Sequence, residues 1–322
     1  MPRVLVAGKL HDSGLSILRA DPSIDLDYTE DLGTDAMLAR LPQAQAVLLR
    51  TQPFDAATIA ACPALQIVSR HGVGYDAVDV DALNQRGIPL TIVGDVNAQT
   101  VAEHTMMLML AASRRLGAYD AATRPGGDWG FRNSLAAREI GGKTLLIVGL
   151  GRIGRRVAHL AAAFDMRVLA YDPFAAAPPE GVEILADLDQ ALTQSDVVTL
   201  HLPGTDRPVL GADQIARLRP GAIVVNAARG GAVDEAALAQ ALDEGRLHGA
   251  GLDVFASEPP QAGNPVTGRA DIVLTPHVAS MTVECAERMA VAAARNIVDY
   301  FHNRLDPALV VNADAIGFGP RG

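Results

Sequence analysis

Residues 143–154, Lys-Thr-Leu-Leu-Ile-Val-Gly-Leu-Gly-Arg-Ile-Gly, constrain the fold of this chain more than any other stretch. An apolar, β-branched run leads into Gly-x-Gly-x-x-Gly and then into a helical pattern. Gly149 is expected to permit a tight turn, Gly151 to let the backbone approach a pyrophosphate, and Gly154 to let helix and strand pack closely. The N-terminus of the following helix would offer unpaired N–H groups and a positive dipole end to phosphates. A glycine triplet alone also arises in ordinary loops. Here, however, a second strand-like run ends at Asp172, eighteen residues after Gly154, where a dinucleotide site requires an acid. Asp172 would accept hydrogen bonds from an adenosine ribose and repel a 2′-phosphate. Pro173 and Phe174 follow it with no adjoining arginine, so NAD is expected rather than NADP. This segment reads as a Rossmann domain.

The flanking pattern agrees. Short aliphatic runs alternate with Ala/Leu-rich helical stretches. The expected strands are 4–7, 24–28, 46–49 and 67–69, then 144–148, 167–171, 197–200, 222–226, 249–252 and 272–274. Runs of this length bounded by Gly, Pro and Asp fit buried parallel strands, with helices on both faces of the sheet. Helical patterns are expected over 14–20 and 55–61. A third, over 98–116, is apolar almost all round, as suits a helix buried between domains, and ends in two arginines. A Gly/Pro/Arg-rich loop, 124–132, follows it. A last helix, 285–302, lies beyond the second series of strands, so the chain is expected to cross back to its first domain. The boundaries expected are 1–99 with 287–322 for one domain and 100–286 for the other.

The 322 residues, 49% apolar and 4% aromatic, leave ample material for more than one core. A net charge of −10 makes general attraction to nucleic acid or anionic membranes a poor expectation. The N-terminus lacks a signal-peptide pattern and no run approaches a membrane span, so a soluble cytoplasmic protein is expected. Cys62 and Cys285 form no pair with metal or disulfide spacing and read as buried apolar residues. No histidine spacing supports a metal site.

Reactive groups of such a fold belong in loops at the carboxyl ends of the later strands. Three loops there carry candidates: Arg229 in 225–231, Asp253 and Glu258 in 253–260, and His277 in 275–280. Taken singly, Glu258 reads as a loop carboxylate, Arg229 as a surface charge at a helix start and His277 as a structural residue.

Together with Arg70-His-Gly-Val-Gly-Tyr-Asp76, Val101-Ala-Glu-His104, the glycine fingerprint, Asn226-Ala-Ala-Arg-Gly-Gly231, Gly251-Leu-Asp-Val-Phe255, Glu258-Pro259 and Pro276-His277, they resemble the D-isomer-specific 2-hydroxyacid dehydrogenase family. The resemblance covers nearly the whole chain. It implies two doubly wound parallel-sheet α/β domains with a cleft between them. A Rossmann NAD-binding domain is inserted in a flavodoxin-like substrate-binding domain that the C-terminal helix completes. It also implies a homodimer formed through the nucleotide domains. Arg229 would bind the carboxylate of a small 2-hydroxy or 2-keto acid and polarise its keto oxygen. His277 would exchange the hydroxyl proton, and Glu258 would orient it and stabilise its imidazolium. Hydride would pass directly between substrate C2 and the nicotinamide, with no metal. Thr100, Arg152, Ile153, His201, Pro203, Thr205, Ala227 and Asp253 match positions lining the family's nucleotide site, with Asp253 toward the carboxamide, and Arg229 and His277 border it. Backbone N–H groups of Gly72, Val73 and Gly74 would hold the substrate carboxylate, although a structural glycine turn explains that segment as well. Arg50, Arg70 and His71 would either add positive charge on the substrate side or be solvated surface groups.

Where the family often carries an Asn-x-Pro-Gly-like segment, this chain reads Ile92-Val-Gly-Asp-Val-Asn97, which puts the substrate in doubt and leaves the reaction type alone. The closing residues 317–322 are expected to fray, leaving no room for a regulatory domain. Two other readings stay open: an NAD(H)-sensing corepressor-like binding protein of the same fold, and a formate or phosphite oxidase. A formate enzyme would pair Gln rather than Glu with the histidine.

Overall fold

The computed structural model describes residues 1–30, 33–175 and 177–319. The chain forms two compact α/β units, Met1–Asn97 with Met281–Gly322, and Ala98–Ser280. Its longer helices include α1 (Asp12–Ala20), α2 (Ala98–Ser113), α3 (Arg152–Ala162) and α4 (Val283–Phe301).

The first unit holds a five-stranded parallel sheet made of β1 (Arg3–Ala7), β2 (Asp25–Thr29), β3 (Ala46–Leu49), β4 (Ile67–Arg70) and β5 (Leu90–Thr91). Their order is β2-β1-β3-β4-β5. Every residue of β3 is buried, as a strand covered on both faces requires. α4 begins where Thr282 accepts a hydrogen bond from Cys285 N at 3.2 Å. It sets Met289, Ala290, Ala293 and Ile297 against Val4, Val6, Leu48 and Ile67. α1 approaches it so closely that a Cβ on Gly14 would stand 2.7 Å from the Ala290 carbonyl oxygen. Beyond α4 the chain returns to the edge of this sheet, where Ile92 N donates to Leu309 O and Val311 N to Leu90 O. Cap and helix form one piece with this unit. The chain therefore changes units at Ser280/Met281, and at Asn97/Ala98, rather than at 286/287 and 99/100.

The second unit is a seven-stranded parallel sheet of β6 (Thr144–Val148), β7 (Arg167–Tyr171), β8 (Val182–Ile184), β9 (Val197–Leu200), β10 (Ala222–Asn226), β11 (Leu247–Leu252) and β12 (Ile272–Leu274). Their order, β12-β11-β10-β9-β6-β7-β8, reverses between β6 and β9. This is the doubly wound topology, whose crevice opens at the carboxyl ends of the strands about the reversal. Side chains alternate between two cores: Leu145 and Ile147 join Val157 and Leu108 on one face, whereas Leu146 and Val148 join Leu200 and Val224 on the other.

Three local expectations are corrected. β5 and β8 have only two and three residues at or near sheet edges, too short to show as apolar runs. The helical pattern over 98–116 breaks: α2 stops at Ser113, Arg115 turns left-handed (φ +53°), and a separate helix spans Leu116–Thr123. α2 spends its apolar surface on its own sheet, where a Cβ on Gly251 would lie 2.8 Å from Leu108 Cβ. The loop at 124–132 contains most of a 3-10 turn, Trp129–Ser134. Of the segment expected to fray, residues 320–322 lie outside the described residues, and Gly317 closes a short helix at φ +64°. Both cysteines are free and buried. Among the described residues no helix is long and apolar enough to cross a membrane.

Candidate active site

The nucleotide cradle is built by close approach of backbone to backbone. Gly149 follows β6 at φ +94°, and a Cβ there would lie 2.4 Å from the His201 carbonyl oxygen. A Cβ on Gly154 would meet the Gly149 oxygen at 2.2 Å, so only glycine lets α3 start this near the strand. Gly151 caps α3 with no side-chain bond to its first N–H groups, and nothing lies within 4 Å of where its Cβ would be. An uncapped helix N-terminus facing open space suits an anionic pyrophosphate. Arg152 and Ile153 form its first turn, exposed and half-buried respectively. Beside them Asp172 receives Leu150 N at 2.8 Å and Phe174 N at 2.9 Å, one on each oxygen. That fixes a carboxylate at the end of β7, beside the glycine turn. The residues fit NAD, and a 2′-phosphate would meet this negative charge.

The remaining expected nucleotide-site residues divide. Pro203 and Thr205 lie exposed after β9, with the Thr205 hydroxyl donating to Arg207 O at 2.8 Å. Ala227 is buried at the end of β10, and Thr100 is buried on α2. His201 turns its ring inward, with Nε2 3.0 Å from Thr199 Oγ1. Burial pushes that imidazole down to about 3, so it is neutral. His201 thus meets the cradle through its carbonyl and not its ring.

The Asp253 carboxylate is fully buried. One oxygen accepts from Thr275 Oγ1 (2.6 Å) and Val278 N (2.8 Å), and the other from Ala279 N (2.9 Å). Burial alone would raise its pKa, but the donors of His104, Thr275, Val278 and Ala279 outweigh it, and the net shift is downward. Asp253 remains ionised as the anchor of the segment that carries His277.

That segment and two neighbouring loops bring the three candidate catalytic residues onto successive strand ends. His277 follows β12 in a left-handed conformation, φ +53°, with its N–H on the Asp253 carbonyl at 2.7 Å. Its Nδ1 lies 2.7 Å from Glu258 Oε2, and Glu258 Oε1 accepts Phe255 N at 3.1 Å. A carboxylate accepts only, so Nδ1 carries the hydrogen of that contact and Nε2 is the ring nitrogen turned away from Glu258. Both side chains are accessible, at 53% and 37% exposure. Arg229 opens the turn after β10. Asn226 staples that turn, donating to Arg229 O (2.8 Å) and accepting Ala228 N (3.0 Å). Gly230 packs so tightly on the Glu258 loop that a Cβ would stand 1.8 Å from Phe255 O. The Arg229 turn therefore abuts the Glu258 loop, which in turn holds His277.

Sequence reading missed Asn226, Thr275 and His104 as supports. Their signals were membership of the quoted segments 101–104, 226–231 and 275–280 and a polar side chain beside apolar neighbours.

Gly72, Val73 and Gly74 lie in the other unit, after β4. Gly72 is buried at φ +151°, and its missing Cβ would touch the Arg70 guanidinium at 3.2 Å. At the carboxyl ends of β1, β3 and β4 the chain places Lys9, Arg50, Arg70 and His71. Arg50 Nη1 donates to the Lys9 carbonyl, and its buried Nε meets no partner. His71 does not add charge. Burial first, then Arg50 and Arg70, push its imidazole down to about 4, so it stays neutral.

The family model "D-isomer specific 2-hydroxyacid dehydrogenase, NAD binding domain" matches residues 106–279. D-3-phosphoglycerate dehydrogenase of Mycobacterium bovis is 42% identical across 92% of this chain, which spans 56% of that protein's length. Glyoxylate reductase of Korarchaeum cryptofilum is 36% identical, with 100% of this chain and 99% of the relative covered. The crystal structure of D-lactate dehydrogenase from Aquifex aeolicus, complexed with NAD and lactic acid, superposes with a TM-score of 0.82 at 26% identity, covering 98% and 99% of the two chains. A family model covering more than half of the chain and a relative aligned from end to end leave one conclusion: the chain belongs to the D-isomer specific 2-hydroxyacid dehydrogenase family, and its second unit is that family's NAD-binding domain.

Proposed function

We propose that the protein is an NAD-dependent dehydrogenase of small 2-hydroxy acids in which His277 is the acid/base. The observation that carries this reading is the 2.7 Å contact of His277 Nδ1 with Glu258 Oε2, on a loop abutting the Arg229 turn. Gly149, Gly151, Arg152, Ile153, Gly154 and Asp172 hold the dinucleotide, whose nicotinamide supplies or accepts the hydride. His277 Nε2 gives a proton to the keto oxygen during reduction and takes it back during oxidation. Glu258 holds the ring and stabilises the imidazolium present before reduction. Arg229 pairs with the substrate carboxylate and polarises the keto group, a task suited to a planar, permanently charged guanidinium.

We propose further that the substrate carries a second anionic group, of the 3-phosphohydroxypyruvate type. Lys9, Arg50 and Arg70 at neighbouring strand ends support it, as does the mycobacterial relative's name. A homodimer through the second unit is supported by its exposed apolar residues Met107, Leu116 and Phe164.

The test is NADH oxidation, followed by absorbance, with 3-phosphohydroxypyruvate, hydroxypyruvate, glyoxylate and pyruvate. Turnover with at least one is expected, and with the phosphorylated acid above the rest. No turnover with any, alongside measurable NADH binding, would overturn the enzymatic reading in favour of a nucleotide-sensing protein.

A further inference from the structure

We infer that His104, on α2, is a positioning residue for His277, acting through Thr275 and Asp253. The inference rests on the proposed acid/base role of His277. His104 Nε2 lies 3.0 Å from Thr275 Oγ1 and 3.4 Å from Asp253 Oδ1. Thr275 has a single hydroxyl hydrogen. The 2.6 Å contact with the Asp253 carboxylate claims it, because a carboxylate only accepts. The hydrogen between His104 and Thr275 must therefore come from His104. The direction of the chain is settled by chemistry: Nε2–H of His104 to Thr275 Oγ1, and the Thr275 hydroxyl to Asp253.

This chain ends where His277 needs support. Left-handed backbone is strained for a histidine and persists only where its surroundings over-determine it. Asp253 ties down the residues on either side, through Thr275 before His277 and through the N–H groups of Val278 and Ala279 after it. Its own carbonyl takes the His277 N–H. A fully buried carboxylate holds that arrangement only while its donors are complete. His104 fixes the rotor of the one donor that could otherwise swing away, the Thr275 hydroxyl. It does so from a helix packed against the sheet, so the His277 loop is indexed to the rigid body of the domain. His104 touches neither the imidazole of His277 nor Glu258, and its effect is on where Nε2 of His277 stands.

The experiment uses the full chain and whichever keto acid the wild type reduces. His104→Leu removes the donor. His104→Gln keeps one, since its amide nitrogen reaches about where Nε2 stands. Thr275→Val removes the intermediate hydroxyl at nearly constant shape. His104→Leu and Thr275→Val should each lower kcat about tenfold or more, since small displacements of a reacting group cost at least that. NADH affinity and KM should stay within about threefold, His104→Gln should recover most of kcat, and the double variant should be no worse than the poorer single one. Turnover within twofold of wild type in Thr275→Val would overturn the inference. So would equal impairment by Leu and Gln at position 104, or losses in NADH affinity that match those in kcat. If His104→Leu does not fold, Thr275→Val and His104→Gln decide the matter. A wild type without turnover on any keto acid refutes the role of His277 itself, a different failure from an active wild type with unaffected variants.

Discussion

Acid should weaken the first unit through His71. The ring is only 8% exposed, and burial first, with Arg50 and Arg70 after it, pushes its titration from 6.5 down to about 4. Above the unfolded value the histidine is neutral in both states and costs nothing. As the pH falls through 6.5 the unfolded chain takes up a proton that the folded chain refuses, so stability drops until the folded pKa is reached. The interval corresponds to about 3 kcal/mol in total, of which about 2 kcal/mol is lost by pH 5. His71→Gln abolishes the titration. Denaturant dependence of hydrogen exchange at β1 and β4 amides, at pH 7.5 and pH 5.0, isolates this unit from His201 in the other, which is also held neutral by burial. The wild type should lose about 2 kcal/mol more than His71→Gln between the two pH values, whatever the substitution costs at pH 7.5. Equal losses in the two proteins would refute a folded His71 held neutral by burial and by the charges of Arg50 and Arg70.

Two more predictions concern the second unit. His277→Ala should lower turnover by about 10²-fold or more while NADH binding, read by fluorescence titration, changes little; equal losses would make the histidine a support of fold or nucleotide. Asp172→Asn keeps hydrogen-bonding capacity and removes the charge beside the glycine turn. It should narrow the preference for NADH over NADPH by about tenfold, or 1.4 kcal/mol, in competitive binding.

Local chemistry made much of this protein legible in one dimension. The aliphatic runs at 46–49, 144–148 and 197–200 stand in the structure as strands with the same bounds, because a strand buried on both faces tolerates almost nothing polar. The Gly149–Gly154 fingerprint is nearly as local: Gly154 answers to Gly149 within one turn and Gly149 to the end of the adjacent strand, while Gly151 leaves the helix start open. Edge strands and the break at Arg115 were less visible, since two or three residues carry no periodicity and a left-handed arginine has no sequence mark.

The site divides along the same line. Residue types at the ends of β10, β11 and β12 named Arg229, Glu258 and His277 as candidates, and the glycine motif with Asp172 named the cofactor. Which atom faces which group was decided only in three dimensions. Asp253, expected toward the cofactor, is buried and fully engaged by Thr275, Val278 and Ala279. His71, expected either to add charge or to be a solvated surface group, is buried and held neutral by burial first and by Arg50 and Arg70 after it. His104 lies 171 residues from Thr275, and their contact exists because α2 packs across the sheet. Hydrophobic runs and glycine turns are properties of a few adjacent residues, so the order of monomers determines them. Burial, protonation and hydrogen-bond direction are properties of surroundings assembled from distant segments, and only the tertiary structure brings those together.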